Sequence, residues 1–336
     1  MSVKKYFGLI ALITVLYVAF LFLTNASLDF YTITVLSNIY IFVILAVSYN
    51  LINGVTGQFS LEPNGFVAIG AYVTALLILT PGEKFDTFTL AKPLDFIAAI
   101  HIGNPYLVLL ISGAVSSLVA LTLAFPVFRV RGDYLAIVTL GFGLIIRFIL
   151  INNPQISNGS SGISGIDDFA NYIMVGVVAL ITVILVYNIV YSKFGRAMKA
   201  VRDDEDSALA MGVNTMKIKT LAFVSSAFFE GMAGGLLASS IGSISPDQFS
   251  FMLTFQLLVI IVLGGLGSIS GSIIATFLVM GGMEVLRVLD DRNFEFLGLH
   301  GVPGLRMVVF SVLLIVIMIF ARRGLLGDKE IWEFKK

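Results

Sequence analysis

The sequence predicts an all-α integral membrane protein of about ten transmembrane helices, with one short helix in a cytoplasmic loop. Three observations carry this. The chain has 336 residues, of which 58% are apolar and only 12% charged, against roughly 25% charged in soluble domains. It contains a run from Gln248 to Met283 without any Asp, Glu, Lys or Arg, far longer than the roughly 20 residues that cross hydrocarbon. Its Lys and Arg residues also gather in alternate connecting segments, as they do in multi-pass proteins.

Ten apolar windows follow in order: Tyr6 to Thr24, Tyr31 to Ile52, Pro63 to Thr80, Tyr106 to Phe128, Tyr134 to Ile151, Asn171 to Tyr191, Thr220 to Ile241, Phe251 to Ile269, Ser270 to Leu289 and Leu305 to Phe320. The first follows Lys4 and Lys5, and its charge-free core is too long for a secretory h-region, which predicts a retained signal-anchor helix. The run from Gln248 to Met283 would be about 54 Å long as one helix, so it must break. The break belongs at Gly264-Gly265-Leu266-Gly267-Ser268-Ile269-Ser270-Gly271, where glycine permits tight turns. Two spans or a span with a re-entrant half-helix both fit, so the count lies between eight and ten.

With the N-terminus inside, fifteen of the 21 basic residues fall on cytoplasmic segments: Lys4, Lys5, Arg129, Arg131, Lys193, Arg196, Lys199, Arg202, Lys217, Lys219, Arg322, Arg323, Lys329, Lys335 and Lys336. Ten spans with both termini in the cytoplasm satisfy this distribution. The two largest exterior segments, Pro81 to Pro105 and Asn152 to Ala170, can hold a short helix but no domain. Residues 1–336 therefore read as a single membrane domain whose main cytoplasmic loop covers 192–219, placed in the cell membrane (the inner, or plasma, membrane).

What the chain lacks narrows its chemistry. It has no cysteine and only two histidines, His101 and His300, so thiolate chemistry is excluded and no metal-ligand or Ser-His spacing exists. No catalytic or metal residues are expected. The formal net charge is zero, which gives no electrostatic footprint for nucleic acid. The dipeptide Gly-Lys is missing, so this chain cannot cradle a nucleotide phosphate in the usual way.

Few ionisable groups fall inside the windows. Glu62 precedes Pro63 at an expected cytoplasmic helix start, where an acid complements the helix dipole. Arg147, Glu284 and Arg287 lie near span ends and can pair or snorkel. Glu230 sits mid-window beside Gly231 and must face the bundle or a water-filled path. Gly231 and Gly235 form a GxxxG pattern that favours close helix packing.

The segment Ser192 to Lys219 is the most informative polar stretch. Asp203 is expected to act as N-cap, with Asp204, Glu205 and Asp206 in the first turn, where negative charge opposes the dipole favourably. The helix continues through Met211, and Gly212 supplies a left-handed stop. Two turns displaying Ala208, Leu209 and Met211 are too short to stand alone, so docking against neighbours or a partner is expected.

Taken together, NLINGVTGQFSLEPNGFVAIGAY (Asn50 to Tyr72), FRVRGDYLAIVTLGFGLIIR (Phe128 to Arg147), NGSSGISGI (Asn158 to Ile166), YSKFGRAMKAVRDDEDSALAMGVN (Tyr191 to Asn214), ISPDQFSF (Ile244 to Phe251), VLGGLGSISG (Val262 to Gly271) and RRGLLG (Arg322 to Gly327) resemble the M-type permease of ATP-binding-cassette importers for branched-chain amino acids. In such importers a Glu-Ala-Ala pattern, three further residues and Gly form a coupling helix for the ATPase. Asp206, Ser207, Ala208 and Gly212 align with it, with Asp and Ser replacing the first two positions. The downstream Ile-x-Leu-Pro is replaced by Ala222, Phe223, Val224 and Ser225.

The resemblance implies coupling residues Gly195, Arg196, Arg202, Asp203, Asp204, Asp206, Ala208 and Gly212. It also implies partners: a second permease forming a heterodimer, two ATPase subunits that carry ATP and Mg, and an external solute-binding protein. No cofactor is expected on this chain, and no nucleic acid. For a zwitterion in transit, amides near Gly57 and Gln58 or at Gly264, Gly265 and Gly267 are candidate donors, and Glu62 or Glu230 candidate partners for an ammonium. A permease for urea or short amides and a stand-alone ion-coupled transporter are the alternatives.

Overall fold

Helix starts are written by proline and asparagine in this chain. In the computed structural model, which describes residues 17–25, 27–130, 132–290, 295–296, 299–300, 304–320, 324–327 and 329–331, Pro63 and Pro105 occupy first-turn positions where no N–H is needed. Asn104, Asn171 and Asn214 cap the helices that follow them through their side-chain oxygens.

The principal helices are α1 (Phe30–Asn50), α2 (Pro63–Ile78), α3 (Pro81–Thr87), α4 (Asp95–Ala99), α5 (Pro105–Val127), α6 (Asp133–Asn152), α7 (Pro154–Ser157), α8 (Tyr172–Tyr191), α9 (Lys193–Asp203), α10 (Glu205–Ala210), α11 (Thr215–Ile241), α12 (Phe251–Gly264), α13 (Ile269–Val285) and α14 (Leu305–Phe320). Residues 17–25 are helical as well. Among the described residues, six helices are long and apolar enough to cross a membrane, starting at Phe30, Pro105, Tyr134, Tyr172, Thr215 and Ile269; α2, α12 and α14 are shorter apolar helices.

Each expected window from Tyr31 onward corresponds to one helix. The first window lies for the most part outside the described residues, as do Lys4, Lys5, Arg131, Arg292, Arg322, Arg323, Lys335 and Lys336. The long apolar run breaks at Gly265 to Ser268, between α12 and α13, as its glycines suggested. At 14 residues α12 spans about 21 Å, less than the hydrocarbon thickness of about 30 Å.

The centre of the bundle is α11, packed most extensively on α5 and α2 and also on α1. Its small residues make this possible. A Cβ on Gly70 would strike the backbone of Gly231, and one on Gly234 would strike the carbonyl of Val67. This is the close approach that the GxxxG pattern anticipates. Outward faces of α5, α6 and α8 carry exposed Leu118, Ile137, Phe148 and Ile181, an apolar belt suited to lipid.

At one end of the bundle α3 and α4 join the 158–166 loop and a two-residue antiparallel pairing of β1 (Ile163–Ser164) with β2 (Ser243–Ile244). Asn158 organises this end. Its amide donates to the carbonyls of Thr87 and Gly162, and its Oδ1 accepts from the N–H groups of Thr89 and Leu90. Lys84 is fully enclosed, and its ammonium caps the α4 region by donating to the carbonyls of Ile97 and Ile100. Desolvation holds its pKa below the usual lysine value.

Candidate functional site: a capped helix, a broken span and a laced turn

The polar segment after α8 contains two helices rather than one. Ser192 caps α9 by accepting from the N–H groups of Phe194 and Gly195, and α9 buries Gly195, Met198 and Val201 against the bundle while Arg196 stays exposed. Gly195 is required by proximity, since a Cβ there would collide with the carbonyl of Val190.

Because α9 runs through Asp203, that residue cannot cap the next helix. Asp204 does so instead. It is extended, with φ of −160°, and its Oδ1 accepts from the N–H groups of Asp206 and Ser207, both at 3.0 Å. Those backbone bonds hold the Asp204 carboxyl below its usual pKa. The expected cap is thus displaced by one residue. The expected stop is present: Gly212 has φ of 85°, and the N–H groups of Gly212 and Val213 donate to the carbonyls of Leu209 and Ala208. This is a Schellman closure.

The display face also differs from expectation. Ala208 is buried and seats α10 on the bundle, while Leu209 and Met211 are exposed. Asp206 is exposed as well. Two contacts tie this segment to the spans. Lys219 at the start of α11 donates to Glu205 at 2.6 Å, with its ammonium arm almost fully enclosed. Arg202 donates from Nη1 to the carbonyl of Gly54 and from Nε and Nη2 to Asp203.

Gly54 lies in a π-helical turn, Leu51–Val55, that ends α1. Both the N–H and the hydroxyl of Thr56 donate to the carbonyl of Leu51, which widens the helix by one residue. The chain then crosses an irregular stretch, 56–62, in which Asn53 pairs its side chain with both backbone groups of Ser60 and the Tyr49 hydroxyl donates to the same Ser60 carbonyl. Gly57, at φ of 70°, packs under the aliphatic stem of Arg202. Gln58 is half-buried beside it.

Glu62 closes this stretch and starts α2. Expected either as a first-turn acid at a cytoplasmic helix start or as an interior partner for an ammonium, it is completely enclosed, and neither carboxylate oxygen has a hydrogen-bond partner among the described residues. The enclosure arises because α2 begins inside the bundle, where the break has carried the chain inward. Glu230, on the central helix, is equally enclosed and lies within electrostatic reach of Glu62. The Ser226 hydroxyl, with one hydrogen to give, sits 2.8 Å from Glu230 Oε1 and 2.7 Å from the Ser48 carbonyl. The structure therefore brings Glu62 and Glu230 together.

It places Gly264 elsewhere, at the end of α12, and Gly265 and Gly267 in the turn between α12 and α13. The amides there are already used: Gly265 donates to the carbonyl of Ile261, and Gly267 to Asn50 Oδ1 at 2.9 Å. Asn50 also donates to the carbonyl of Ser268. A returning segment completes the turn. Leu325 and Leu326 donate to the carbonyls of Leu263 and Gly264, at the end of α12. The Glu330 carboxylate accepts from the N–H groups of Ile269 and Ser270 at 2.8 and 2.9 Å and from the Ser270 hydroxyl, at the start of α13. Orphan groups at both helix ends are thereby satisfied. The amides at this turn are not free for a solute, contrary to the expectation for Gly265 and Gly267.

Lys219, Glu330 and Asn50 escaped the reading of the sequence. Asn50 and Lys219 lie in or next to quoted motifs, but their partners are far away along the chain, and no spacing rule connects them.

An all-helical membrane protein with a capped surface helix wired to a broken span has the features of a transport permease. The chain belongs to the family described as branched-chain amino acid transport system / permease component, whose model matches residues 31–319. It is 34% identical to the high-affinity branched-chain amino acid transport system permease protein LivM of Salmonella typhimurium over 91% of this chain and 74% of the relative. The LivM protein of Escherichia coli gives the same identity and coverage. LivH of Salmonella typhimurium, another permease protein of that system, is 28% identical over 86% of this chain and 92% of the relative. No solved structure matches the chain. The protein is a multi-pass transport subunit and not an enzyme.

Proposed function

We propose that this chain is the M-type permease of an ATP-driven importer that moves branched-chain or similar apolar amino acids through the cell membrane. The permease names of the relatives support the solute class. The observation that carries the coupling role is α10: a six-residue helix capped at both ends, anchored by Lys219–Glu205 and presenting exposed Leu209 and Met211. A helix this short has no stability of its own, so its ordered, outward apolar pair fits a groove on a partner. ATP and Mg then belong to two ATPase subunits docked there, with a second permease completing the path and an external binding protein supplying solute.

In this reading both termini are cytoplasmic and ten spans cross the bilayer as a single domain, the shorter α2 and α12 being completed by their irregular extensions. Gly195, Arg196, Arg202, Asp203, Asp204, Asp206, Ala208 and Gly212 shape the coupling segment. Movement of α10 reaches the interior by way of Arg202, Gly54 and Gly57, and from there the stretch that ends at Glu62. Glu62 and Glu230 supply interior charge to the solute ammonium when the helices around them part.

The test is reconstitution. The complex purified through this chain should contain an ATPase and a second permease, and in vesicles it should accumulate labelled leucine only with ATP and binding protein. Uptake without ATP or partners would overturn the reading. Unchanged leucine uptake by Glu230→Gln would overturn the role of the interior carboxylates alone.

A further inference from the structure

At the end of α1 and α13 remote from Asn50 and Ser268, a cluster of charged and phenolic groups divides two adjoining clefts. The larger, of about 960 Å³, is bounded by α1, α13 and Arg306 of α14; the smaller, of about 490 Å³, continues toward Gln248 and the end of α11. Both volumes fall in the range of small-molecule sites, about 300–1,000 Å³. Tyr31, Glu284 and Arg287 border both. The Tyr31 hydroxyl donates to Glu284 Oε1, and Arg287 Nη1 donates to Tyr31 at 3.0 Å and to Glu284 Oε1 at 3.1 Å.

Among the described residues, every hydrogen bond of Arg287 runs through Nη1, and every one of Glu284 through Oε1. Among the described residues the Nε and Nη2 hydrogens of the guanidinium and the Oε2 atom of the carboxylate make no hydrogen bond. One set suits a carboxylate in bidentate fashion, the other an ammonium. Aliphatic Val35, Val285 and Val288 line the same larger cleft. Opposite charges beside an aliphatic wall match an α-amino acid with a branched apolar side chain.

We propose that this cleft is a binding site for a zwitterionic aliphatic amino acid, with Arg287 receiving the carboxylate, Glu284 the ammonium and Val35, Val285 and Val288 the side chain. The proposal rests on the amino acid importer reading. It adds a site at the end of the permease opposite the coupling segment, where solute is met before the enclosed Glu62 and Glu230. The α1 helix separates the two ends by about 30 Å over its 21 residues.

The experiment measures binding of labelled leucine to the purified complex in nanodiscs of phosphatidylcholine and phosphatidylglycerol, without ATP or binding protein. Arg287→Gln, Glu284→Gln and Gly281→Leu should each weaken it at least tenfold. Gly281 lines the larger cleft, and a Cβ there meets nothing within 4 Å, so the leucine fills space without straining the fold. Arg147→Gln, which breaks the separate ion pair with Asp247, should leave binding unchanged. Wild-type binding in the first three variants overturns the site. So does leucine transport by a complex that binds no leucine unaided, which leaves the importer reading standing. A complex that transports no aliphatic amino acid overturns both. Displacement of leucine by added phosphatidylethanolamine would assign the cleft to a lipid headgroup and overturn the amino acid assignment.

Discussion

Lys219 and Glu205 meet at 2.6 Å across the junction between the surface helix α10 and the central helix α11, with the lysine side chain 5% and the glutamate 25% exposed. This pair fastens the coupling segment to the most enclosed span of the bundle. Lys219→Met keeps the packing volume and removes the charge that pairs with Glu205. The expected cost is about 1–3 kcal/mol. The reconstituted complex should keep its ATPase subunits and lose transport per ATP hydrolysed, which simultaneous phosphate-release and uptake assays measure.

Asp204 provides a sharper test of how α10 starts. Asp204→Ala should speed hydrogen exchange at the Asp206 and Ser207 amides, while Asp204→Asn, which can still cap, should not. Asp203→Ala should leave both amides protected, because Asp203 ends α9. The pH dependence has a definite sign. The folded pKa of Asp204 is lowered by its backbone hydrogen bonds, so its contribution is complete above the unfolded value of about 3.9 and is lost as pH falls through the folded value. Protection of the two amides measured across acidic pH should follow that course.

The Glu330 carboxylate is 3% exposed and serves the first amides of α13. Glu330→Ala leaves those donors enclosed and unpaired, at a cost of about 2 kcal/mol. Glu330→Gln retains an acceptor and should cost less. Melting of the purified complex, followed by tryptophan-independent scattering or calorimetry, checks the order wild type, Gln, Ala.

Glycines differ in what they tolerate. Gly70→Val places side-chain atoms in the backbone of Gly231 and should abolish accumulation of the folded protein. Gly281→Ala, in open surroundings, should be neutral. Membrane-fraction yield of the two variants reads this directly.

Much of the helical framework was legible because apolar window length and glycine placement report on the bilayer and on chain breaks. The window at Tyr106 to Phe128 differs from α5 by one residue at each end, and that at Asn171 to Tyr191 differs from α8 by one residue at its start alone. The amphipathic α9 was hidden because its mixed charges read as a loop, and its buried face consists only of Gly195, Met198 and Val201. That concealment also shifted the α10 cap. The two readings of Glu62, first-turn acid and interior carboxylate, could not be separated in the sequence because a proline start looks the same at a membrane surface and inside a bundle. The pairs Asn50–Gly267, Arg202–Gly54 and Ser270–Glu330 join residues 60 to 217 positions apart, and local pattern carries no information at such separations.

The lacing of α13 by Glu330 sets an order of assembly. The carboxylate lies 60 residues downstream of Ser270, beyond α14. At about 5–20 residues per second, synthesis reaches Glu330 about 3–12 s after Ser270. During that interval the Ile269 and Ser270 amides of α13 are without their acceptor. A nascent chain halted before Glu330 would keep the Ser268 cap on Gly271 but leave the Ile269 and Ser270 amides unpaired, giving quality-control proteases a chemical distinction between a chain with this lacing and one without it.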